Sequence, residues 1–225
     1  MMTENASELR FTATRSSGEV SALWLRPQDA HAALVLAHGA GAGMRHAFME
    51  AVAGRLAGRG IATFRYQFPY WEQGKRRPDP PRVLVRTVRS AVVAAADLAG
   101  GLPLFAGGKS MGGRMTSTAA SEEALPGVRG LIFFGFPLHP PARPATVRGD
   151  HLAGVGVPML FLQGTRDKLA ELDLLRPICA RLGDRATLHV VEGADHGFHV
   201  LKRSGRTDDE VLDELADTAA AWAAP

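Results

Sequence analysis

Gly108-Lys109-Ser110-Met111-Gly112 reads G-x-S-x-G, with an apolar run, Leu102 to Ala106, before it and a helix-compatible run after it. That arrangement suits an attacking hydroxyl. A strand ends, the chain turns sharply into a helix, and the serine is held at the apex. Glycines on either side let neighbouring backbone pass close by. Two other readings compete. Gly-Lys-Ser also ends a phosphate-binding loop, G-x-x-x-x-G-K-[ST], but Pro103 stands where that loop needs its first glycine. A helix-capping serine in a glycine-rich turn is the third reading. Partners elsewhere in the chain must decide.

A hydroxyl is a weak nucleophile and needs a base within reach. His196 lies in Glu192-Gly193-Ala194-Asp195-His196-Gly197-Phe198, just after the last apolar strand, in a loop flexible enough to aim an imidazole over a sheet edge. The base in turn needs an acid to fix its tautomer. Asp167 follows the strand Pro158 to Leu162 through a short loop. Asp173 and Asp184 fall in or beyond the next helix, and Asp195 adjoins the base too closely to reach its far nitrogen. Ser110, Asp167 and His196 thus occur in the chain order Ser…Asp…His. An oxyanion needs backbone N–H donors: Met111, next to the serine, and Ala40, in the loop His38-Gly39-Ala40-Gly41-Ala42-Gly43. His38 is read as a brace for that loop.

The glycine-rich loop does not make a dinucleotide fingerprint. G-x-G-x-x-G started at Gly39 meets Met44, and started at Gly41 meets His46. The acidic residue expected after the next strand is replaced by Arg65, Tyr66 and Gln67. With no H-E-x-x-H and a single cysteine, Cys179, no metal site is expected. Two aromatic, proline-stiffened loops follow central strands, Phe68-Pro69-Tyr70-Trp71-Glu72 and Phe136-Pro137-Leu138-His139-Pro140-Pro141. Phe68, Tyr70, Leu138 and His139 either line an apolar substrate cleft or pack as ordinary loop residues.

The elements that must position these residues alternate. Leu9–Thr14 and Val20–Leu25 read as an antiparallel pair. Strands are expected at Ala32–Ala37, Ile61–Tyr66, Leu102–Ala106, Gly130–Phe134, Pro158–Leu162 and Thr187–Val191. Helices are expected at Met44–Gly58, Arg82–Leu98, Ser110–Ala124 and Ala170–Leu182, and from Thr207, where Thr207-Asp208-Asp209-Glu210 makes a capping box. Gln67–Pro81 and Pro137–Arg148 read as loops. This alternation implies a mostly parallel sheet with helices on both faces, in one domain over residues 1–225. Catalytic groups in such a sheet belong beyond the carboxyl ends of the strands.

Hydrophobic residues make up 46% of the 225 and charged residues 22%, a globular balance. The net charge of +3 is spread in mixed sign, and the densest basic cluster, Lys75-Arg76-Arg77, is too short for a nucleic-acid footprint. No run is long and apolar enough for a membrane span, and Met1 to Arg10 carries no leader-like apolar stretch. A cytoplasmic protein is expected, with neither nucleic acid nor membrane as partner.

Together these residues resemble the α/β-hydrolase superfamily, from the His38-Gly39 loop through Ser110 and Asp167 to His196. Within it, four stretches are similar to the small, nearly lidless hydrolases of the testis-expressed protein 30 and KANSL3-like group. They are the His38 to Gly43 loop, Phe68-Pro69-Tyr70 with Arg76-Arg77-Pro78, Gly108 to Arg114, and Pro137 to Pro141. The likeness extends more distantly to dienelactone hydrolases, which use cysteine where this chain has Ser110. The resemblance implies an α/β-hydrolase fold with little or no cap. The residues imply a serine hydrolase acting on a small-molecule carboxylic ester or thioester, with no cofactor. The alternative is a non-catalytic protein-interaction module on the same scaffold, since fold alone does not set function.

Overall fold

The computed structural model describes residues 6–224; Met1 to Asn5, on which part of the expectation about a leader fell, and Pro225 lie outside the described residues. Eight strands form one sheet. β1 (Ser7–Thr14), β2 (Gly18–Leu25), β4 (Ile61–Tyr66), β3 (Ala32–Ala37), β5 (Leu104–Lys109), β6 (Val128–Phe134), β7 (Met159–Gly164) and β8 (Ala186–Val191) lie side by side in that order. β2 pairs antiparallel with β1 and β4, and the remaining pairs are parallel. The mostly parallel sheet expected from the alternation is therefore present.

β3 shows why both faces are covered. All six of its residues are buried; Ala33, Val35 and Ala37 enter one core, and Ala32, Leu34 and Leu36 the other. A strand with two apolar faces needs helices on each. α3 (Pro81–Ala99), α4 (Met111–Glu122) and α5 (Leu172–Leu182) pack on the first face, and α1 (Ala47–Ala57) and α6 (Asp208–Ala223) on the second. The expected capping box starts α6: Glu210 N–H donates to Thr207 Oγ1 at 3.2 Å, and Thr207 N–H donates to Glu210 Oε2 at 2.7 Å. Arg59, just beyond the end of α1, then ties α6 down, reaching Asp217 at 2.6 Å and Asp213 at 3.3 Å.

Several expected boundaries shift by a few residues, and two of the differences bear on the site. β5 runs on through Gly107 and Gly108 to Lys109, three residues past its expected end, because Gly108 pairs with Ala37 of β3 and Lys109 with Phe134 of β6. Glycine has low strand propensity, and here sheet pairing overrides it. The loop after β4 holds a short helix, α2 (Pro69–Glu72), whose proline occupies the first turn where a missing N–H costs nothing. Among the described residues, no helix is long and apolar enough to cross a membrane.

Candidate active site

Ser110 sits between β5 and α4 with φ 51° and ψ −118°, a backbone state that costs energy in any residue but glycine. Its surroundings hold it there. Ser110 N–H donates to Phe134 O at 3.2 Å, and Arg114 N–H donates to Ser110 O at 3.1 Å. The flanking glycines are sterically required. A Cβ on Gly108 would lie 2.3 Å from Ala37 O, and one on Gly112 would lie 2.5 Å from the same oxygen. The end of β3 passes through the space those side chains would fill.

His196 Nε2 lies 2.8 Å from Ser110 Oγ, and His196 Nδ1 lies 2.7 Å from Asp167 Oδ2. A carboxylate offers only acceptors, so Nδ1 carries the proton and Nε2 presents its lone pair to the serine hydroxyl. Asp167 is itself fixed. Gln163 Nε2–H donates to Oδ2 at 2.6 Å, and Leu169 N–H donates to Oδ1 at 2.8 Å. The Asp167 side chain is fully buried, whereas that of His196 keeps 26% of its surface exposed, toward the opening. The structure thus brings together the three residues expected from chain order, each beyond the carboxyl end of a parallel strand.

Lys109 supports the same loop from below. Its Nζ–H donates to His196 O at 2.5 Å. The ammonium also lies 5.5 Å from the ring centre of Phe48 and 5.2 Å from that of Phe198, within cation–π range. Crowding away from water pushes its pKa down to about 8, against the opposing pull of Asp167 and Asp195.

The loop after β3 closes the other side. At Gly39 the backbone passes Ser110, and a Cβ built there would stand 3.8 Å from Ser110 Cβ. His38 is the brace expected from sequence. Its Nδ1–H donates to Gly39 O at 2.8 Å, and its Nε2 accepts from Phe68 N–H at 3.1 Å. The bond accepted at Nε2 needs the neutral ring, and full burial lowers its pKa to about 4 against the opposing hydrogen bond to Gly39 O. Tyr70 Oη–H donates to Ala40 O at 2.8 Å. Farther along, Arg65 Nη1–H donates to Met44 O at 3.1 Å, and Met44 N–H donates to Gln67 Oε1 at 3.0 Å. Residues that failed as a ribose-binding position thus anchor the glycine loop. Among the described residues, the backbone N–H groups of Ala40 and Met111 have no acceptor.

A cavity of about 640 Å3 opens beside Ser110 and His196, and its walls are mainly apolar: Ala47, Phe48, Met49, Leu169, Phe198 and Leu212. Ala40 lies on its wall. Phe68, Tyr70, Leu138 and His139 do not line it, which corrects the cleft reading of the two aromatic loops. All four are fully buried. Phe68 and Tyr70 stack at 6.4 Å and brace His38 and Ala40, and His139 Nδ1 hydrogen-bonds Pro140 O at 2.9 Å. Loops directly after central strands turn inward here because their aromatic rings complete the core.

Sequence reading missed most of the apolar cavity wall, which comes mainly from α1, α6 and the His196 loop, with Leu169 from the loop after β7. At those positions a lining residue and a core residue share one apolar pattern. Gln163 was also missed, although a polar residue ending the apolar strand Met159-Leu160-Phe161-Leu162 was a readable signal. It is fully buried, and its Oε1 accepts from Phe136 N–H at 2.9 Å while its amide holds Asp167.

Solved structures share the architecture. A dienelactone hydrolase from Anabaena variabilis superposes with a TM-score of 0.74 at 19% identity, covering 97% of each chain. A serine hydrolase without lid from Xanthomonas campestris gives 0.75 at 18% identity, over 97% of this chain and 95% of that one. An alpha-beta serine hydrolase homologue from Coxiella burnetii gives 0.73 at 18% identity, over 97% and 98%. At such identities the likeness speaks for the fold. The sequence itself matches the family model of the alpha/beta hydrolase domain over residues 30–224, a span that takes in the glycine loop, the Ser110 turn, Asp167 and His196, and the chain therefore belongs to the alpha/beta hydrolase family.

Proposed function

We propose that this protein is a serine hydrolase that cleaves a carboxylic ester or thioester through an acyl-enzyme. The observation that carries the reading is the hydrogen-bonded series Ser110–His196–Asp167, at 2.8 and 2.7 Å, opening on an apolar cavity. In this mechanism Ser110 Oγ attacks the carbonyl carbon while His196 Nε2 takes its proton. Asp167 stabilises the imidazolium and holds its orientation. The N–H groups of Ala40 and Met111 donate to the developing oxyanion. His196 then returns the proton to the leaving alcohol or thiol. Water, deprotonated by the same Nε2, attacks the acyl-enzyme and releases the acid and Ser110.

The cavity favours an apolar group on one side of the scissile bond. The motifs similar to the testis-expressed protein 30 group support a small hydrolase without a lid. Fluorophosphonate labelling tests the assignment. The wild type should be labelled and Ser110→Ala should not. Equal labelling of both, or none of the wild type, overturns it. Ester turnover that persists in both Ser110→Ala and His196→Ala would do the same, and absence of any turnover would favour the interaction-module reading.

A further inference from the structure

Arg114 stands four residues after Ser110, so the two share one face of the elbow and its helix. Helix side chains lean toward the N-terminus, which carries a long side chain at Arg114 back toward the catalytic edge. Arg148 comes alongside on a short 3-10 turn, Val147–Gly154, that runs beside α4. The register between them is fixed at two points. His151 Nε2 meets Ser117 Oγ at 2.8 Å, and a Cβ on Gly154 would stand 3.5 Å from Ser121 Cβ. One turn back toward the elbow, Arg148 is the charge that faces Arg114.

Both arginines are partly buried. Arg114 Nε is buried with no hydrogen-bond partner, and among the described residues no carboxylate pairs with it. Asp150, on the same turn as Arg148, bears on His151. Arg89, on the neighbouring α3, shows the ordinary alternative: it is matched by Glu123 at 3.3 Å. Two guanidinium groups held together with a buried, unpaired donor are unfavourable until an anion joins them. Their position relative to Ser110 is informative. The apolar cavity is walled by α1, α6 and the His196 loop, with the glycine loop and Leu169 completing it, while α4 packs on the face of the sheet opposite α1 and α6. Arg114 thus stands one helical turn from Ser110, on the face of the sheet opposite α1 and α6, and neither arginine lines the cavity.

We propose that Arg114 and Arg148 bind an oxyanion, a carboxylate or a phosphate, carried by the substrate on the side of the scissile bond opposite its apolar group. This rests on the hydrolase reading above and extends it. The substrate is an amphipathic ester or thioester: its apolar group fills the cavity, and its anionic group is clamped by the two guanidinium groups. Arginine suits the task because its planar fork matches both oxyanions.

The test compares three probes: 4-nitrophenyl valerate, mono(4-nitrophenyl) glutarate and butanoyl-phosphopantetheine. The wild type should prefer an anionic probe. In Arg114→Met and in Arg148→Met, the ratio of kcat/KM for the anionic probe to that for valerate should fall about tenfold, chiefly through KM. Arg114→Lys should regain part of the ratio, which a mere packing defect would not allow. A fall confined to the glutarate ester names a carboxylate; one confined to the phosphopantetheine thioester names a phosphate. An unchanged ratio in both methionine variants overturns the proposal and leaves the hydrolase standing. Should no probe be turned over, the hydrolase reading fails, and titration with glutarate and with inorganic phosphate decides the anion site by itself. Binding lost in Arg148→Met supports it, and absence of binding to the wild type overturns it.

Discussion

Lys109 Nζ and His196 O are joined by a hydrogen bond that spans 87 positions of sequence. The residue before the elbow serine thus holds the loop that carries the imidazole facing that serine. Distance between Ser110 and His196 is set from both ends, by Asp167 through the ring and by Lys109 through the backbone.

Replacing Lys109 with Met keeps its stem and removes that bond. We expect kcat to fall about tenfold or more, because small displacements of a base from its nucleophile are costly, with less effect on KM. The pH dependence is diagnostic. Wild-type kcat should decline as Lys109 loses its proton above about pH 8, and Lys109→Arg should shift that decline upward. Stability moves the other way. The folded state holds this proton less tightly than the unfolded chain, whose lysine titrates near 10.5, so unfolding free energy rises with pH across that window. Urea titrations of Lys109→Met should lack this rise.

Removing the chemical groups themselves should be more severe. Ser110→Ala and His196→Ala should each lower kcat by about 10³-fold or more, and the double variant should lose little beyond either single one, since the groups act as a unit. Asp167→Asn should retain the fold and still lose most activity, because an amide can present the wrong tautomer of His196 to Ser110. Steady-state kinetics on a 4-nitrophenyl ester checks all three.

His38 should make the fold sensitive to acid. Its pKa is about 4 in the folded state against 6.5 unfolded, so the unfolded chain binds more protons between those values. Stability is full above about pH 6.5 and declines as pH falls toward 4. His38→Gln should flatten that decline. At neutral pH the same substitution should destabilise by about 1–3 kcal/mol through the unpaired Phe68 N–H or Gly39 O it leaves. Chemical denaturation at several pH values reads both effects.

Tyr70→Phe removes one hydroxyl and its bond to Ala40 O. We expect a stability loss of about 1 kcal/mol and a larger relative loss in kcat than in substrate affinity, because Ala40 is proposed to donate only to the oxyanion. Equal loss in kcat and KM terms would remove Tyr70 from that positioning role.

Gly112→Ala places a methyl group 2.5 Å from Ala37 O, a backbone atom of a central strand. The elbow cannot yield without moving β3, so the variant should be destabilised by about 1–3 kcal/mol or more and lose activity. Thermal unfolding, compared with Gly41→Ala, where a Cβ meets nothing within 4 Å, isolates the clash.

The sequence by itself determined the frame of this protein. Strands with two apolar faces, such as Ala32–Ala37, require helices on both sides, and alternation makes their sheet mostly parallel. In such a sheet the residues following β5, β7 and β8 lie on one edge, so Ser110, Asp167 and His196 were legible from type, order and post-strand position. The brace at His38 was legible for the same reason. Tertiary structure decided which apolar residues face substrate. Phe68, Tyr70 and Leu138 are buried in the core and Phe48, Leu169 and Leu212 line the cavity, although nothing in their local pattern separates them. Burial depends on what a distant element places opposite a side chain. The partners of Lys109, Gln163 and Arg114 were set in the same way, because a hydrogen bond or a missing counter-charge exists only once residues far apart in sequence have been packed together.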